Sequence, residues 1–164
     1  MENFNWTAFT KKITINATMM ELYNAWTVPE EIERWFLSNA HFEKPDGTLV
    51  KRNENVQPKD LYQWSWFLFD VMEKGKIIEA NGVDLLKFTF AGDCIVEVKL
   101  KQTEGCVIVE LSQSNIPTDS QSKRGIRLGC ESGWSFFLVN LKSIYEGGLD
   151  LRNKNENLKG MLNN

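Results

Sequence analysis

The chain has 164 residues, 42% hydrophobic and 25% charged, which fits one ordinary globular domain. Its formal net charge of −3 and scattered basic residues, adjacent only at Lys11-Lys12, Lys51-Arg52 and Lys123-Arg124, argue against a nucleic-acid binder. The start lacks a signal-peptide pattern, no apolar run suits membrane insertion, and three irregularly spaced cysteines form neither a disulfide framework nor a zinc site, so a cytoplasmic location is expected.

Residues from about Phe9 to Asn16 alternate and predict a first strand with Phe9, Ile13 and Ile15 as its apolar members. Thr18-Met19-Met20-Glu21 fits a capping box, in which a hydroxyl and a carboxylate satisfy free amides at a helix start. The helix it opens would bury Leu22, Ala25 and Trp26. Thr27-Val28-Pro29-Glu30 repeats the signal and opens a second short helix carrying Ile32, Trp35 and Phe36. From His41 to Lys59 the chain is polar, with Pro45-Asp46-Gly47 and Pro58, and predicts a turn with a loose loop or edge strand. Five strands are expected next, at about Leu61–Phe69, Gly75–Ala80, Asp84–Ala91, Cys94–Gln102 and Cys106–Ser114.

Two hairpins have a register that can be derived. With Glu104-Gly105 as the turn, Val98 and Leu100 fall opposite Leu111 and Val109 and share one apolar face, while Glu97, Lys99, Glu110 and Ser112 share the other. In the preceding hairpin a two-residue loop would put Phe88 and Phe90 on the wrong face. The three-residue loop Ala91-Gly92-Asp93 pairs Phe90 with Cys94 and Phe88 with Val96, so that loop is predicted. Cys94 and Cys106 then point to opposite faces, which excludes a disulfide between them and leaves Cys94 as a small core residue.

Asp119 to Glu146 is the longest helical pattern, stopped by Gly147-Gly148. It gathers Ile126, Cys130, Gly133, Trp134, Phe137, Leu141 and Ile144 into one stripe, with Arg124, Glu131, Ser135 and Lys142 on the far side. Leu149 to Arg152 can still dock, whereas the asparagine-rich residues 154–164 carry too little apolar surface and are expected to fray.

Strand, two short helices, consecutive antiparallel strands and one long helix is the order of the START-related (SRPBCC, helix-grip) superfamily. The chain resembles the family named after the activator of the heat-shock protein 90 ATPase (homologue-1-like). The likeness rests on three stretches: Ile15-Asn16-Ala17-Thr18 through Val28-Pro29-Glu30 to Trp35-Phe36; Phe88-Thr89-Phe90-Ala91; and Gly133-Trp134-Ser135-Phe136-Phe137 through Ser143, followed by Glu146-Gly147-Gly148-Leu149-Asp150-Leu151-Arg152. The resemblance implies an α+β helix-grip fold over residues 1–153, with six to seven strands curved around the long helix, and an apolar cavity between them. No catalytic set is shared across that family, so none is carried over.

Six Trp and ten Phe promise either a core of bulky rings or a ring-lined pocket. Trp35, Phe36, Trp64, Trp66, Phe88, Phe90, Trp134 and Phe137 are the cavity candidates, with Leu141 beside them and Asn140 as a polar anchor at the stripe's edge. Gly129 and Gly133 either let the helix approach the sheet closely or open space for a ligand, and Gly133 is the expected point of closest approach. His41, the only histidine, has no ligand partners nearby and reads as a surface or rim residue. No metal or cofactor motif is present. The expected function is non-enzymatic binding of a small hydrophobic molecule by a monomer or homodimer. Interaction with a chaperone or other protein is the alternative, and a cyclase-like enzyme a third.

Overall fold

The computed structural model describes residues 4–164, so the first three residues of the expected domain lie outside it. β1 (Phe9–Ile15) leads through α1 (Met19–Thr27) and α2 (Pro29–Trp35) to β2 (Asn39–Glu43). β3 (Leu61–Ser65), β4 (Glu73–Ala80), β5 (Leu85–Phe90), β6 (Cys94–Thr103) and β7 (Cys106–Ser114) follow. All seven strands form one antiparallel sheet in the order β1-β7-β6-β5-β4-β3-β2. β1 and β2 are therefore the two edges, and α1 and α2 carry the chain from one edge to the other. α3 (Ser120–Ser122), a π-helical segment (Lys123–Leu128) and α4 (Gly129–Tyr145) then form the long C-terminal helix.

Local chemistry sets most of these boundaries. Thr18 Oγ1 accepts from the Glu21 amide at 3.2 Å and Glu21 Oε2 accepts from the Thr18 amide at 2.8 Å, the expected reciprocal cap. α2 begins differently, because the Thr27 hydroxyl donates to the Tyr23 carbonyl instead of capping. Pro29 alone starts that helix, its missing N–H falling where no bond is needed. Both hairpin registers are as derived: Val98 faces Leu111, Leu100 faces Val109, Phe90 faces Cys94 and Phe88 faces Val96. Ala91 and Gly92 take φ of 54° and 83° to close the three-residue loop. Cys94 is buried, and all three cysteines are free.

Two departures matter for the site. β3 stops at Ser65 rather than Phe69: Phe67 and Leu68 form a turn, with Leu68 at a left-handed φ of 63°, and residues 66–69 leave the sheet. The long helix runs between Asp119, which caps the amides of Gln121 and Ser122, and Glu146. Its π-helical turn widens the coil and changes the faces that a uniform rotation per residue would assign. Trp134 and Leu141 of the expected stripe are buried, but so are Arg127, Leu138 and Asn140. Arg127 donates to the Asn5 carbonyl at 2.8 Å, pairs with Glu131 and lies over the rings of Phe4 and Phe9. Gly133 is not a point of close approach: a Cβ added there meets nothing within 4 Å.

Candidate ligand cleft

α2 ends at Trp35, whose indole N–H donates to the Ala25 carbonyl at 2.8 Å and so ties the two short helices together. The next residue, Phe36, is the hub of the aromatic cluster. It stacks on Trp35 and Trp134, with centroids 5.2 and 4.9 Å away, and meets Trp64, Trp66 and Phe137 edge-on. On one side of this hub, Trp35, Trp64, Phe88 and Leu141 are almost wholly buried and close-packed. On the other side the rings border open space.

That space is a cleft of about 770 Å³. Phe36, Phe90, Trp134 and Phe137 form its ring wall, together with Trp66 from the bend after β3. Gly125, Cys130 and Gly133 form the helix side. The bend supplies Leu68, Phe69 and Val71, the start of β4 supplies Glu73, and the chain's end supplies Lys159, Gly160, Met161, Leu162 and Asn164. The volume and apolar lining suit a small hydrophobic molecule. Trp134 is held in place by its indole N–H, which donates to buried Gln113 Oε1 at 3.0 Å.

Of the sequence-derived candidates, Phe36, Trp66, Phe90, Gly133, Trp134 and Phe137 come together at the cleft. Trp35, Trp64, Phe88 and Leu141 sit behind them in the closed core. Gly129 is exposed and outside the cleft, because the π-helical turn carries it off the inner face. His41 lies on β2 opposite Gln63, in a shallow groove on the sheet's other face with Lys74 and Lys76. No cluster of His, Cys, Asp or Glu suited to a metal occurs among the described residues.

Two ionisable groups touch the cleft from its sheet and helix walls. Burial pushes the Glu73 carboxyl up, partly offset by the Ala91 amide, which donates to it at 2.7 Å. Burial pushes the Cys130 thiol up to about 11, so at neutral pH it stays a protonated, unreactive thiol.

Asn140, read from the sequence as a ligand anchor, has another task. Its Nδ2 donates to the Trp35 carbonyl at 2.7 Å, and its Oδ1 accepts from the Leu151 amide at 2.7 Å. Arg152 completes a clamp: its guanidinium donates to the carbonyls of Leu37, Glu33 and Arg34 at 2.9, 3.0 and 2.9 Å and to the Asp150 carboxylate. The carbonyls left free at the end of α2 are thus satisfied by side chains more than a hundred residues later. Burial alone would raise the Asp150 carboxyl, but hydrogen bonds from Arg152 and Lys154 hold it well below the usual carboxylate range.

With fold and cleft described, the relationships of the chain are clear. Residues 16–146 match the family described as Activator of Hsp90 ATPase homolog 1-like protein. The chain belongs to this family. No curated protein matches it in sequence. A protein of Staphylococcus saprophyticus superposes with a TM-score of 0.70 at 19% identity, covering 88% of this chain and 96% of the other. The Aha1 dimer from Colwellia psychrerythraea gives 0.67 at 17% identity over 86% and 97%. An HSP90 activator from Plasmodium falciparum gives 0.61 at 18% identity over 84% and 95%. At these identities the likeness establishes the shared helix-grip fold, a sheet curved around one long helix.

In this family member Leu68, Phe69 and Val71 border the cleft, although the sequence pattern places Leu68 and Phe69 in a strand and assigns Val71 to no element. A signal was present: Trp66-Phe67-Leu68-Phe69 has apolar side chains at consecutive positions, which a half-buried strand does not require. Met161 and Leu162 were missed because the residues around them are polar.

Proposed function

We propose that this family member binds a small apolar molecule in the cleft between α4 and the bend after β3, without transforming it, in the cytoplasm. The supporting observation is the space beside Gly133: the helix omits a side chain where the ring wall is open, and nothing else fills the gap. Gly133→Leu should project a side chain into the cleft and narrow it, with no clash at the added Cβ. The variant should melt close to the parent while losing its thermal shift with a neutral apolar fluorophore such as N-phenyl-1-naphthylamine. Full retention of that shift would sink the reading.

Family membership favours a second reading, contact with heat-shock protein 90. It expects an increase in that chaperone's ATPase rate on adding the purified chain, and an unchanged rate counts against it.

A further inference from the structure

The residues after Arg152 stand in two unlike states. Arg152 is buried and bonded to three backbone carbonyls. Residues 155–164, by contrast, bond the rest of the chain only at Leu151 and Asn153 among the described residues. The Asn163 side chain donates to the Leu151 carbonyl at 2.7 Å, and the Asn153 amide donates to the Asn163 carbonyl at 2.6 Å. The Asn153 side chain adds bonds to the Leu158 carbonyl and from the Asn155 amide. None of these tail residues belongs to the buried core, and Leu158, Met161 and Leu162 stay 50%, 47% and 87% exposed. Yet Lys159, Gly160, Met161 and Leu162 border the same cleft as Gly133 and Phe137. A wall that buries so little of its own apolar surface opens at small free-energy cost. Its attachment is a single asparagine cluster next to a rigid clamp, the arrangement a hinge needs.

We propose that residues 155–164 are a hinged lid, which swings about Asn153 to admit an apolar ligand and closes over it. This rests on the binding reading above and adds its regulation. The cavity persists beneath the tail, so the tail covers the site rather than filling it.

Stopped-flow mixing with N-phenyl-1-naphthylamine tests the lid, comparing the full chain with one ending at Lys154, which keeps the whole core and the Lys154–Asp150 pair. In the full chain the association rate should level off at high probe concentration, because opening becomes limiting. In the shortened chain it should rise linearly, and the probe should leave about ten-fold faster. Asn153→Ala in the full chain should shift both rates in the same direction by less. Equal linear association in both chains, with faster release from the shortened one, would make the tail a fixed wall and overturn the lid. Identical kinetics, with binding still abolished by Gly133→Leu, would overturn the lid and leave the cleft standing. Failure of both chains to bind would overturn the binding reading and the lid together.

Discussion

The two sides of Phe36 are built from the same kind of residue and behave differently. Toward the sheet centre, Trp64 stacks on Tyr62 at 3.9 Å and meets Phe88 edge-on, and all three are buried. Toward the chain's end, Trp66, Phe90, Trp134 and Phe137 border a cleft of about 770 Å³. Ring count does not explain the contrast, since both sides are rich in rings. The open side is where the backbone leaves regular geometry, at the Leu68 bend and the π-helical turn, and where glycine replaces a side chain at position 133. Behind the hub, the Asn140–Asp150–Arg152 clamp locks the end of α2 to α4 and to the segment after α4, with the Arg152 guanidinium lying over Phe67 of the bend.

The largest expected effect breaks the locked side. Arg152→Met strands the Leu37, Glu33 and Arg34 carbonyls and leaves the Asp150 carboxylate without its buried partner, a loss of about 3–5 kcal/mol in urea unfolding. Asn140→Ala comes next. It unpairs the Trp35 carbonyl and the Leu151 amide and should cost about 2–4 kcal/mol by the same measurement. If either loss is much smaller, the clamp does not lock this half of the core.

The smallest effect sharpens the contrast through pH. The Asp150 carboxyl is held below its ordinary value, so its stabilisation is complete above that value and is lost as pH falls toward the folded-state pKa. Glu73 runs the other way. Its carboxyl is raised by burial, so folding takes up protons between the ordinary and the raised value, and stability falls as pH rises through that window. Glu73→Gln should therefore gain stability relative to the parent across that window, by well under the clamp losses, while Asp150→Asn should flatten the acid limb. Urea midpoints measured from strongly acidic pH, below the ordinary carboxylate range, up to neutral separate the two, because Asp150 acts below that range and Glu73 above it. Parallel curves for parent and Glu73→Gln would remove Glu73 from the buried wall.

Short-range rules made a large part of this protein legible without coordinates. The Thr18–Glu21 cap, the Asp119 and Gly147 limits of the long helix, and both hairpin registers depend on neighbours in sequence or on the two-residue period of a strand. Their order, with the family resemblance, implied a helix-grip fold of six to seven strands, and the structure has seven, with β2 at the edge. Only tertiary structure decided which rings are packed and which are open, because that depends on how the Leu68 bend and the π-helical turn move elements a uniform period would keep in line. It also decided that Asn140 serves the backbone rather than the cleft, and that Met161 and Leu162 stand at its wall. In each case the residue's partners lie far away in the chain, and no local pattern of apolar and polar side chains records a contact at that distance.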